Sequence, residues 1–209
     1  MHRFSRLFLV GAFGLYQACA HADVPSDRAG LPGGALNQKH AIRWPKPAAN
    51  RVDLNHTLWA RVAMERALDP HLLYAVALVE SARVSGDSAA PWPWALNHDG
   101  KTLYADSPEA AIHQVRNSLS AGKWAIDVGL MQVNLRWHRH RVHRAEDLVD
   151  PLTNLQVGAD ILAESIASAP GDLALGVGRY HAWNDRVAAY RYGRKVLALA
   201  ERLQRAPTW

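Results

Sequence analysis

Asp69-Pro70-His71-Leu72-Leu73-Tyr74-Ala75-Val76-Ala77-Leu78-Val79-Glu80-Ser81 is the stretch on which the fold turns. An acidic residue followed by proline at the first helical position starts a helix, because the carboxylate accepts from free N–H groups of the first turn and proline has none to lose. From Leu72 to Val79 no residue is charged, and a helix apolar on every side belongs inside a protein. Glu80 ends that run. Leu73 and Val76 lie seven and four residues before it and share its face, which turns the carboxyl toward protein. Desolvation and the negative end of the helix dipole both penalise the charged form. Moving a glutamate from about 4.3 to about 6 takes only roughly 2.3 kcal/mol, so Glu80 is a candidate general acid. The plain alternative is a solvent-facing residue at a helix end, as most glutamates are.

The same punctuation recurs outward from this helix. Ser107-Pro108 and Asp150-Pro151 are cap-and-proline starts. After Pro151, the residues Leu155, Ala159, Leu162 and Ile166 repeat at helical spacing up to a stop at Pro170-Gly171. Tyr192, Val196, Leu199 and Leu203 form a second such stripe, and weaker patterns place helices after Asp53 and over Leu173 to Tyr180. Between Gly86 and Asp106 the pattern shifts to alternation, with Trp92, Trp94 and Leu96, and Asp99-Gly100 offers a favoured tight-turn pair before Leu103-Tyr104. The expectation is a mainly α single domain of about six helices with one minor β-hairpin.

The amino-terminal part reads differently. His2-Arg3 and Arg6 precede an apolar stretch from Leu7 to Tyr16, and Ala20-His21-Ala22 has the form of a cleavage site, so residues 1–22 read as a signal peptide. Ten apolar residues are too few to span a bilayer, which needs about 20 in a helix, and no transmembrane segment is expected in the mature chain. Residues 23–50 carry repeated proline and glycine without an apolar period and read as an irregular segment, leaving 51–209 as the folded domain. Export implies a periplasmic location. Cys19, the single cysteine, falls within the signal, so the mature chain has no thiol for metal, disulfide or nucleophile. Tyr16 stands where a lipoprotein box has a small aliphatic residue. The formal charge of +5 falls to +3 once Arg3 and Arg6 are removed, a mild excess that suits an anionic envelope polymer and names no partner.

Asp127-Val128-Gly129-Leu130-Met131-Gln132-Val133-Asn134 is the second informative stretch. In an extended segment Gln132 and Asn134 would lie on one side, two amides able to bond sugar hydroxyls and acetamido groups. The other reading is a loop that satisfies its own backbone. Asp127 likewise has two readings, a second carboxylate opposite Glu80 or a residue that fixes this loop.

Glu80-Ser81 at a helix end, then Gly129-Leu130-Met131-Gln132 with Asn134, then Tyr180-His181-Ala182, then Tyr192 and Val196, in that order, resemble the soluble lytic transglycosylase (SLT) family over roughly residues 55–203. Pro91 to Asn97 and Asn154 to Leu162 resemble its small exported members, which accompany conjugation, type IV pilus and secretion systems. His181 departs from the asparagine common after the tyrosine, and Trp183 from a common glycine. The resemblance implies a lysozyme-like domain acting on peptidoglycan glycan strands, with components of an envelope-spanning machine as further partners. It implies cleavage between N-acetylmuramic acid and N-acetylglucosamine, with Glu80 as acid and then base. The muramyl residue's own C6 hydroxyl would close onto C1, giving a 1,6-anhydro end. By the same resemblance Ser81 orients Glu80 or the acetamido group, Met131, Gln132 and Asn134 line the glycan groove, and Tyr180, His181 and Tyr192 stand near the carboxyl. No cofactor is implied.

Four rivals have a sequence basis. His138, His140 and His143 suggest metal, but their spacing fits no zinc signature and four arginines between Arg136 and Arg144 would repel a cation; no metal site is expected. That basic stretch also suggests nucleic acid, which the export signal argues against. A hydrolytic muramidase of the same fold, and a non-catalytic glycan-binding assembly factor, are the remaining alternatives.

Overall fold

The structure, a computed structural model, describes residues 52–205. The signal peptide expected over 1–22, with Cys19, and the irregular segment expected over 23–50 lie outside these residues. Seven α-helices and six short strands make up the described part, so the architecture is mainly helical with small antiparallel sheets. No helix among the described residues is long and apolar enough to cross a membrane.

The helices begin where their caps stand. α1 (Leu58–Glu65) follows Thr57, and α2 (Pro70–Ser81) follows Asp69, whose carboxylate accepts from the N–H groups of His71 and Leu72. α3 (Pro108–Ser120) is capped by Ser107, and α5 (Pro151–Ala167) by Asp150. Each such cap contributes about 1 kcal/mol relative to alanine. α4 (Leu135–His138) is a single turn capped by Asn134. α6 (Leu173–Arg179) starts at Asp172, and α7 (Arg186–Arg205) at Asp185, whose Oδ1 accepts from Val187 and Ala188. Leu72, Leu73, Ala75, Val76 and Ala77 of α2 are buried in the main core, as are Val196, Ala200 and Leu203 of α7. Leu199, expected in that stripe, is only half-buried, and Ala200 takes its place.

α6 lies between α5 and α7, and α2 packs on α7. The α6–α7 crossing is tight enough to demand glycine from both sides. A Cβ at Gly178 would lie 1.9 Å from the Ala189 carbonyl oxygen, and one at Gly193 would lie 1.9 Å from that of Ala174. This crossing carries Tyr180 and His181, at the end of α6, up to Tyr192 on α7.

The β structure exceeds the single hairpin expected. Asp99 and Gly100 do turn the chain, with φ of 51° and 73°, the positive pair that a two-residue hairpin turn requires. They join β3 (Ala95–His98) to β4 (Lys101–Tyr104). Upstream, β1 (Ala82–Ser85) leaves α2 directly and pairs with β2 (Ser88–Pro91) in a second hairpin. β5 (Ile126–Val128) and β6 (Val133–Asn134) extend the larger sheet to the antiparallel order β4-β3-β5-β6. Strands of two to four residues have too few positions for alternation to register. Trp92 and Trp94 lie between the hairpins rather than in a strand; their rings meet edge to face at 5.9 Å, and Trp92 Nε1 donates to the Ala105 carbonyl.

Candidate active site

α2 delivers Glu80 in its last turn, with the side chain 15 % exposed. The Tyr192 hydroxyl donates to Glu80 Oε1 at 2.5 Å. His181 Nδ1 lies 4.0 Å from that oxygen, and its ring stacks on Tyr192 with centroids 4.7 Å apart and planes 2° from parallel. Burial raises the Glu80 carboxyl from 4.5 to about 7, against the Tyr192 bond and the charge of Lys195, which both pull it down. Burial, and then the charge of Glu80, push the Tyr192 phenol well above its ordinary range, so it stays a donor. Burial and Lys195 lower His181, while Asp127 opposes them, so the enclosure disfavours the charged imidazole. The result is a carboxyl that holds its proton near neutrality and can still release it.

Residues 129–132 form a turn, the second of the two readings of this stretch, rather than an extended segment. Gly129 has φ of +79°, and a Cβ there would meet Asn154 Nδ2 at 2.4 Å. Gln132 is also left-handed, with φ of 45°. Its Nε2 donates to the carbonyls of Ala95 and Gly129, which is the self-satisfying reading of this loop. Ser81 is buried, and its hydroxyl lies 2.7 Å from the Leu130 carbonyl and 3.0 Å from that of Ala77, donating to the pair. It therefore grips the turn instead of orienting the Glu80 carboxyl. The Met131 side chain is fully buried and forms core, not groove wall. Its carbonyl accepts from the Tyr180 hydroxyl at 2.6 Å. Asn134 donates through Nδ2 to Asp127 Oδ1 at 2.7 Å, while its own Oδ1 caps α4 by accepting from Arg136.

Two residues were absent from the sequence reading of the site. Asn154 of α5 is fully buried; it donates to the carbonyls of Val128 and Leu148 and accepts from Met131 N–H, fixing both ends of the turn. A lone amide among the apolar positions of that helix was its signal. Lys195, one turn beyond Tyr192, contributes charge. Asp127 does reach the site. Burial raises its carboxyl from 3.8 to about 6, with the Asn134 bond and His181 pulling down and Glu80 pushing up.

The family model of the transglycosylase SLT domain matches residues 57–207, from the cap of α1 to beyond the end of α7. The chain belongs to that family. Comparisons with curated proteins and with solved structures found no match. SLT domains are typically lytic transglycosylases that act on the glycan strands of peptidoglycan. One carboxyl titrating near 7 can protonate a leaving oxygen and then take a proton back, the two demands of such a reaction.

The histidine-rich stretch of this SLT domain is organised by other contacts. Arg141 makes a two-pronged pair with Glu164 at 2.8 and 2.6 Å. His138 is held down at about 4 by burial and by Arg141, hence neutral, and the rings of His138 and His140 lie 6.4 Å apart. Tyr104 donates its hydroxyl to the Ala82 carbonyl and, with Trp92, ties the two hairpins together.

Proposed function

We propose that this SLT domain cleaves the β-1,4 bond between N-acetylmuramic acid and N-acetylglucosamine without water, with Glu80 as acid and then base. Protonated Glu80 gives its proton to the glycosidic oxygen while the muramyl acetamido oxygen closes onto C1 as a cyclic oxazolinium. Ionised Glu80 then removes the C6 hydroxyl proton, C6 oxygen displaces the acetamido oxygen, and a 1,6-anhydro end results. The observation that carries this reading is the Glu80 carboxyl, nearly enclosed, bonded to Tyr192 and raised to about 7. Tyr192 and His181 hold it from one side. Ser81, Met131, Gln132, Asn134 and Tyr180 act one step further back, shaping the turn beside it. Exported through its signal peptide, the protein works in the periplasm and opens the wall for a conjugation, pilus or secretion apparatus.

A hydrolytic muramidase is the second reading, favoured by Asp127, since hydrolysis ordinarily employs a second carboxylate. Mass spectrometry of muropeptides separates the two: anhydro ends for the first, reducing ends heavier by one water for the second. Glu80→Gln removes the proton donor and is expected to slow release about a hundredfold to ten-thousandfold. Clearance of peptidoglycan by this variant at the wild-type rate would refute Glu80 as the acid, whereas glycan binding by a wild type that releases no muropeptides would leave only a glycan-binding role.

A further inference from the structure

Asp127 occupies the strand β5, flanked on both sides. The register sets Asn97 of β3 and Asn134 of β6 directly across from it. Cross-strand partners in an antiparallel sheet project from the same face, so Asn97, Asp127 and Asn134 form one polar row. Asn134 Nδ2 donates to the Asp127 Oδ1 at 2.7 Å, and Asn134 is itself fixed by capping α4. The turn that follows β5 is bolted to Ser81, next to Glu80 in sequence, through Leu130, and to Tyr180 through Met131. This brings the row against the end of α2. The carboxyls of Asp127 and Glu80 both act on the Tyr180 phenol, as two groups lining one site would. Ser81, expected to orient Glu80 or the acetamido group, is turned onto backbone carbonyls instead.

Resting on the reading of Glu80 as the proton donor, we propose that ionised Asp127 is a second catalytic carboxylate, which accepts the acetamido N–H of the muramyl residue and steadies the oxazolinium ring formed from it. The acetamido oxygen bonds to C1 as the C1–O glycosidic bond breaks, and the leaving oxygen keeps that electron pair and takes the Glu80 proton. Positive charge spreads over the O–C–N unit. Its N–H then makes a charge-assisted bond to Asp127, of the kind roughly twice as strong as a neutral one. Asp127 forms no covalent bond and receives no proton. When the C6 oxygen attacks C1, the acetamido group returns to neutral and the C6 proton passes to Glu80.

The protonation states agree with the geometry. Facing the Asp127 carboxyl are Glu80 from α2, Tyr180 and His181 from the end of α6, and Asn97 and Asn134 from the flanking strands, with Tyr192 and Lys195 of α7 next to Glu80. Two carboxyls that repel one another titrate as a pair. With Asp127 raised to about 6 and Glu80 to about 7, the pair holds a single proton between those values. That is the state the first step needs.

The test uses the mature chain and purified sacculi, following released muropeptides by mass across pH 4.5–8.5. Asp127→Asn, confirmed folded by its thermal transition, is expected to lose about a hundredfold to a thousandfold in kcat, as when one preorganised electrostatic partner is removed. KM should stay within a few-fold, the acidic limb of the wild-type profile should vanish, and the remaining product should keep its anhydro end. In Asp127→Ala, added formate should restore part of the rate by standing in for the carboxylate. An Asp127→Asn variant with wild-type rate and limb overturns the proposal. So does a slow Asp127→Ala that formate leaves unchanged, since Asp127 would then only hold the sheet together. Water-added ends from the wild type would overturn the transglycosylase reading itself, whereas anhydro ends with an indifferent Asp127→Asn would overturn this assignment alone.

Discussion

Replacing Glu80 by glutamine should make the protein more stable and should do so only above the pH at which this carboxyl ionises in the unfolded chain. The fold raises this group from 4.5 to about 7, chiefly by burial, with its side chain 15 % exposed. A native state that binds the proton more tightly than the unfolded chain is most favoured by this group below 4.5, and loses that advantage as pH climbs to about 7. The loss amounts to about 3 kcal/mol. Glutamine carries no charge at any pH and keeps an oxygen to accept from Tyr192, so it escapes the loss. For a chain of this size 1 kcal/mol moves the melting temperature by about 2–4 °C, which places Glu80→Gln about 6–12 °C above wild type at pH 8. At pH 4 the two should melt together. Calorimetry or circular dichroism melts at both pH values measure this without reference to activity. Equal melting temperatures at pH 8, or the same gain at pH 4, would refute the claim that the carboxyl is held in a desolvated, proton-retaining site.

Tyr192→Phe keeps the ring stacked on His181 but removes the bond that pulls Glu80 down. A hydrogen bond to a charged acceptor exceeds one to a neutral acceptor by about 1 kcal/mol, so the alkaline limb of the pH–rate profile should move up by about one pH unit; a downward move would contradict the geometry. Asn154→Ala strands the Met131 N–H and the carbonyls of Val128 and Leu148, and a urea titration should show a loss of about 3 kcal/mol or more. Gly178→Ala sets a methyl group 1.9 Å from the Ala189 carbonyl oxygen. The α6–α7 crossing must then open, at about 3 kcal/mol, and chain carrying His181 and Tyr192 moves with it; melting temperature and muropeptide release should fall together.

The helices and their starts could be read from the chain because caps act within three residues and apolar stripes within four. Asp69, Ser107 and Asp150 stand at the helix starts where the sequence places them, and Asp99-Gly100 closes its hairpin. The strands β1, β2, β5 and β6 escaped because they are too short for alternation to register, and β5 is held in part by the distant β3. Glu80 could be singled out for the same local reason as the helices, a single carboxyl ending an uncharged run.

What surrounds it could not be read that way. Whether Gln132 and Asn134 face sugar or backbone depends on a turn whose shape is set by Asn154, 23 residues beyond Met131. The bond from Tyr192 to Glu80 joins residues 112 apart. Sequence alone thus determined the helices and singled out Glu80 as the candidate acid, because those follow from interactions among neighbours. Only the packing of α2, α6, α7 and the sheet decided which phenol, imidazole and second carboxylate meet that acid. The burial that lifts it to about 7 is a property of the whole enclosure, and no single segment carries it.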